Sequence, residues 1–137
     1  MMESIRLEMA GTVEQAIRLV ERHLPEEKCI LLWKYDVATK LLEQGIHLEQ
    51  ETVILEVSQP DLTKKLLSLY PHAAYLLPLK LTVTRHPAKE LVEVKLVRAS
   101  MLASLEGDDA ARQLVEEMED KLVRVMKRCE EQWQASA

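Results

Sequence analysis

The chain has 137 residues, 47% of them apolar and 30% charged, with a net charge of −5 at neutral pH. That length predicts one domain, 1–137, with a single core, and the balance is that of an ordinary soluble globular protein. The acidic charge excludes an easy nucleic-acid partner, because such affinity rests on Lys and Arg neutralising phosphates.

No Phe occurs, and Trp33, Trp133, Tyr35, Tyr70 and Tyr75 are the whole aromatic complement. The predicted core is therefore aliphatic, with few rings on which to stack bases or sugars. Glu3, Arg6 and Glu8 interrupt any leader-like apolar run near Met1, and no run approaches the ~20 residues that cross a bilayer. The expectation is a cytoplasmic protein without membrane contact.

In chain order, Ile5 and Leu7 alternate with Arg6 and Glu8 and predict a short first strand. Gly11-Thr12 breaks it, and Thr12 with Gln15 three residues on reads as a helix-capping box. Val13, Ile17, Val20 and Leu24 then follow at helical spacing until Pro25. Cys29 to Tyr35 is the second strand, whose continuous run Cys-Ile-Leu-Leu-Trp predicts burial on both faces. Asp36 caps a short helix carrying Val37, Leu41 and Leu42, which Gly45 ends.

Thr52 to Ser58 alternates as a third strand, and Gln59-Pro60-Asp61 opens a helix over Leu62–Tyr70. The chain re-enters a strand through Tyr75–Leu81. Leu79–Arg85 and Glu90–Val97 form the best hairpin signal, with His86-Pro-Ala-Lys89 as the loop. If Arg85 faces Glu90, Lys80 lies opposite Lys95, and Leu79, Leu81 and Val83 share a face with Leu96, Val94 and Val92. A long final helix follows, capped by Asp108 or Asp109. Its stripe is Val115, Met118, Leu122, Val125, Cys129 and Trp133. This order predicts an α+β fold, a largely antiparallel sheet with helices packed on one face.

The order and punctuation, with Asp36 after the second strand and Gly45 closing the next helix, resemble the family known as domain of unknown function 302. The resemblance covers about 7–129 and implies a TATA-binding-protein-like α/β arrangement. The family often carries Cys-Asn-Pro or Gly-Asn-Pro where this chain has Ser58-Gln59-Pro60, and Leu-Pro-Cys-Asn where it has Leu77-Pro78-Leu79-Lys80. An Asp-Pro after the last strand is replaced by Arg98-Ala99. Any redox or metal role that relatives give those cysteines does not carry over.

The chemistry-bearing residues are sparse. Cys29 and Cys129 fit no close-spaced metal or redox motif and read as two buried thiols. His23, His47, His72 and His86 have no ligand partner at helical spacing, so no metal site is expected. Three glycines and no glycine-rich loop argue against a nucleotide cofactor. Ser58, at a strand end, lacks the elbow motif of a nucleophile, and Asp36 reads first as a cap.

The remaining tension is basic. Lys80 opposite Lys95, with Arg98 just beyond, is a like-charge arrangement that calls for neighbouring Glu or a bound anion. The apolar second strand also calls for cover over Ile30 and Leu32 when helices cover one sheet face only. Both point to a non-enzymatic homodimer binding a small, anionic ligand or a protein partner, with Lys80, Lys95, Arg98, Ser58 and Asp36 as site residues. The alternative is an enzyme with its site at the sheet end, using Asp36, Ser58 or a nearby His.

Overall fold

The computed structural model describes residues 5–136. Five strands, β1 (Ile5–Ala10), β2 (Ile30–Asp36), β3 (Glu51–Ser58), β4 (Leu79–Arg85) and β5 (Leu91–Leu96), form one antiparallel sheet in the order β1-β5-β4-β3-β2. Strands at the two ends of the sequence of pairings, β1 and β2, are the sheet edges. Five α-helices accompany them: α1 (Val13–His23), α2 (Val37–Glu43), α3 (Pro60–Leu69), α4 (Ala99–Leu105) and α5 (Asp109–Ser136).

Alternation decides which face is covered. Leu7 and Met9, Val53, Leu55 and Val57, Leu79, Leu81 and Val83, and Val92, Val94 and Leu96 are all buried. The residues between them, including Arg6, Glu8, Glu56, Thr82, Glu93 and Lys95, are exposed or half-buried. Against the apolar face lie Val20 of α1, Leu66 of α3, and Val115, Met118, Leu122, Val125 and Cys129 of α5, each at most 1% exposed. Five of the six stripe positions expected for the last helix thus form the spine of the core, and Trp133, the sixth, packs partly buried against it.

Local signals account for most boundaries. Thr12 Oγ1 accepts from Gln15 N at 3.1 Å while Gln15 Oε1 accepts from Thr12 N at 3.0 Å, the reciprocal capping pair the sequence predicts. Leu24–Glu27 winds into a 3-10 turn with Pro25 near its start. Asp36 Oδ1 accepts from Thr39 N at 3.1 Å, and Gly45, at φ +76°, follows α2. Only glycine adopts that left-handed backbone without strain.

Three expectations are corrected. The second strand is an edge strand, not a doubly buried one: Ile30, Leu32 and Trp33 are 51–57% exposed. An apolar run alone cannot distinguish two covered faces from none. Tyr75–Leu76 belongs to a second 3-10 turn, Pro71–Leu76, and β4 starts at Leu79, beyond the cis Leu77–Pro78 peptide. Proline lacks the N–H a ladder needs and keeps the strand from starting earlier.

The third correction is the β4–β5 register. Leu81 faces Leu96, Thr82 faces Lys95 and Val83 faces Val94, two residues away from the expected pairing. A two-residue shift preserves every face but changes every partner. The turn closes within His86–Lys89, where Lys89 N donates to His86 O at 2.9 Å, and pairing resumes only at Thr84–Glu93. Helix α4, between β5 and the long helix, was not foreseen, although Gly107, at φ +70° just beyond it, is a helix-end signal.

Candidate functional site

Three segments meet at one end of the sheet. β3 ends at Ser58 and hands the chain to α3, Leu77–Pro78 leads into β4, and β5 gives way through Val97 and Arg98 to α4. Val97 N donates to Lys80 O at 3.0 Å, fastening the second and third segments together. Between them runs a groove of about 190 Å³ lined by Tyr75, Leu76, Leu77, Pro78, Leu79, Lys80, Val97, Arg98, Ala99 and Leu102. Its charged lining consists of Lys80 and Arg98, both cations.

Beneath the groove lies a buried carboxyl. Glu119 of α5 is 1% exposed, and Ser100 donates to it twice, from N to Oε2 at 3.0 Å and from Oγ to Oε1 at 2.6 Å. Arg98 Nε stands 3.7 Å from Glu119 Oε1, close enough for ionic attraction but too far for a hydrogen bond. Glu119 is thus satisfied chiefly by Ser100, and Arg98 keeps hydrogen-bonding capacity to spare. Nearby on α5, Met118 O accepts from Gln59 Nε2 at 2.8 Å. Gln59 is 2% exposed, and its Oε1 has no hydrogen-bond partner among the described residues.

A second polar group borders this end. His72 Nε2 lies 2.8 Å from Asp108 Oδ2, and Tyr75 Oη donates to the same oxygen at 3.4 Å. Burial and then the Asp108 charge raise the Tyr75 hydroxyl above its ordinary pKa, keeping it protonated. These residues, with Glu106 and Gly107, line an open depression of about 570 Å³. Asp108 precedes α5 as expected of a cap, but its carboxylate is turned to His72 and Tyr75. Tyr75 lines both this depression and the Lys80–Arg98 groove.

At the opposite end, α1, β2 and β3 enclose a cleft of about 610 Å³ lined in part by Glu14, Arg18, Glu21, Lys34, Asp36 and Glu51. Most of its charges are paired: Arg18 with Glu14, Lys34 with Glu21 at 2.7 Å, and Glu51 with Arg85 at 3.6 Å, while Asp36 accepts from Thr39 N as the cap of α2. Little of this cleft's chemistry is therefore unspent.

Of the residues singled out in the sequence, Lys80 and Arg98 come together. Ser58 sits one residue beyond the Val57–Leu79 pair, at the same sheet end but outside the groove lining. Lys95 does not join them. It lies between Thr82 and Arg6 on the uncovered face, while Lys80 is opposite Glu56. Asp36 pairs with Val53 and Ser58 with Ile30, so the two stand at opposite ends of the β2–β3 ladder and share no site.

Sequence reading gave no site role to Gln59, Ser100 or Glu119, and it read Asp108 as a cap only, not as the shared partner of His72 and Tyr75. One signal was present. Glu119 lies four residues after Val115 and three before Leu122, a charged residue on the core stripe of α5. Cys29 and Cys129 are free and buried; burial raises the first thiol to about 11 and the second to about 12, so neither is a ready nucleophile. Among the described residues, no group of three His, Cys, Asp or Glu side chains converges as metal ligands, and no helix is long and apolar enough to cross a membrane.

The chain is similar to an uncharacterized conserved DUF302 protein from Bacillus stearothermophilus, whose crystal structure superposes with a TM-score of 0.86 at 26% sequence identity. That match covers 94% of this chain and 99% of the other. No curated protein matches. The family model for the domain of unknown function DUF302 matches residues 5–129, which takes in every strand described here and α5 as far as Cys129, and the chain belongs to that family.

Proposed function

We propose that this chain is a non-enzymatic homodimeric domain that binds a small anionic ligand in the groove between Leu77–Lys80 and Val97–Leu102. The observation that carries the reading is the lining: two cations, no carboxylate, and an otherwise apolar wall. Arg98 supports it further, because the one carboxylate near it among the described residues, Glu119 at 3.7 Å, is hydrogen-bonded by Ser100 and leaves the guanidinium's donors unspent. A guanidinium with free donors in a small apolar recess favours a planar anion such as a carboxylate. The homodimer rests on the exposed apolar side chains of β2.

The test is calorimetric titration with a series of small carboxylates and with inorganic phosphate, on wild type, Lys80→Glu and Lys95→Ala. Lys80 is exposed, so its substitution leaves the fold alone. The expected result is an anion whose affinity falls at least about tenfold in Lys80→Glu and is unchanged in Lys95→Ala. An anion held equally by Lys80→Glu, or no binding at all, overturns the groove assignment.

One observation favours the second reading, an enzyme at the sheet end. Asp108 orients His72 as a carboxylate orients a general base, with the Tyr75 hydroxyl on the same oxygen. Turnover of any substrate that is lost in His72→Gln, without loss of binding, would decide for it.

A further inference from the structure

The homodimer reading leaves open which surface meets which, and the two sheet edges differ enough to answer that. We infer that β2 is the self-association surface, and that a second copy of the chain pairs with it antiparallel, strand to strand, about a two-fold axis, joining two five-stranded sheets into one. This rests on the homodimer reading above and names its partner surface.

The side chains come first. Ile30, Leu32, Trp33 and Tyr35 on β2, followed by Leu42 and Ile46 where the chain leaves the strand through α2, are 36–63% exposed. Together they offer apolar surface on the order of 600 Å², against the ~800 Å² per partner that a standard interface buries. A polar rim readily supplies the remainder. Single exposed leucines are ordinary, but this many large side chains in one tract is the signature of a covered surface.

The backbone then selects the occupant. Among the described residues β2 pairs only with β3, so its outer N–H and C=O groups have no ladder partner there. Sheet edges are commonly guarded by charge. The one cation on this strand, Lys34, is drawn to Glu21 at 2.7 Å and does not guard it. The β2–β3 register slips between Leu31 and Trp33, leaving Leu32 without an opposite residue and 55% exposed.

The other edge, β1, carries Arg6 and Glu8 on its open side. It is a poor match for β2, so head-to-tail growth of β1 on β2 is disfavoured. Pairing of β2 with its own copy is apolar against apolar, and it closes. Full overlap of two seven-residue strands sets the axis near Trp33, which faces Glu56 on the uncovered side. The two Trp33 rings then meet across the axis as an aromatic cross-strand pair.

The experiment is native mass spectrometry with sedimentation at micromolar concentration on the full chain. The samples are wild type, the double variant Leu32→Lys/Trp33→Lys, and Glu8→Lys as the control at the other edge. Both β2 side chains are more than half exposed, and circular dichroism with a urea midpoint verifies that the variant monomer is folded. The expected result is a dimer for wild type and Glu8→Lys, and a folded monomer for the double variant, with its dimer dissociation constant raised at least about a hundredfold. A double variant as dimeric as wild type overturns the β2 surface and leaves the homodimer reading standing. A wild-type monomer overturns both.

Discussion

The two edges of one sheet are built on opposite plans. β1 alternates: Leu7 and Met9 are 4% and 3% exposed, while Arg6 and Glu8 face water. α5 lies against it, and Arg6 reaches Glu93 of the neighbouring strand at 3.5 Å. β2 has no such alternation, and of its residues only Leu31 is less than exposed. Yet the two strands are about equally apolar, four of six residues in β1 against five of seven in β2. Hydrophobicity did not decide which edge is buried; the position of the long helix did.

That contrast predicts a large asymmetry in truncation. Leu7→Ala should cost about 2–4 kcal/mol, the transfer term plus a cavity under α5. Leu32→Ala should change the stability of the monomer by less than about 0.5 kcal/mol, since it removes surface already in water. Urea unfolding at concentrations low enough to hold the chain monomeric measures both. Equal costs would mean that β2 is covered within the chain and would end the comparison.

Two glycines sharpen it. Gly11 ends β1 at φ +139°, and a Cβ there would lie 2.5 Å from Cη2 of Trp133 on α5. Gly45, after α2 on the β2 side, has a left-handed backbone too, but a Cβ there meets nothing within 4 Å. Gly11→Ala should therefore cost at least about 2 kcal/mol through clash and strain, and Gly45→Ala about 1 kcal/mol through strain alone. Thermal unfolding of the pair compares them directly. The β1 edge is locked under the end of the long helix, and the β2 edge is not.

The smallest effect concerns what anchors the approach to β2. Glu27, in the turn before it, accepts from Arg128 Nη1 at 2.7 Å and from Arg124 Nε at 2.9 Å. The Arg128 hydrogen bond, opposed in part by burial and aided by Arg124, holds the Glu27 carboxyl below the ordinary carboxylate value. A group with a depressed folded pKa adds stability above its unfolded pKa and loses it as pH falls through the folded value. Glu27→Gln should thus cost about 1–2 kcal/mol at neutral pH, and the gap from wild type should close as the pH falls below about 4.5. Urea midpoints measured across that range check the sign. A gap that widens in acid would show that Glu27 is not held ionised by its arginines.

Part of the candidate site was legible in the chain, and the reason is local. Asp36 three residues before Thr39, and Thr12 three before Gln15, cap helices by geometry that involves only neighbours. Lys80 and Arg98 were both singled out, but for a pairing with Lys95 that a two-residue register shift dissolves. Hairpin register depends on where the loop closes, which no alternation pattern reports. Ser100 with Glu119, and His72 with Asp108, join segments 19 and 36 residues apart. Their meeting depends on how α4, the Pro71–Leu76 turn and α5 pack, and on nothing nearer in sequence.

The sequence by itself determined the family, the α+β class, the periods of its strands and helices, and the aliphatic stripe of α5, because alternation, helical spacing and caps are short-range consequences of backbone geometry. Only the tertiary structure decided that β2 lies at an edge, that Glu119 is the buried acid on the stripe, and that Lys80 and Arg98 share a groove from which Lys95 is absent. Those outcomes depend on strand order, register and helix placement, which residues distant in the chain settle together through packing.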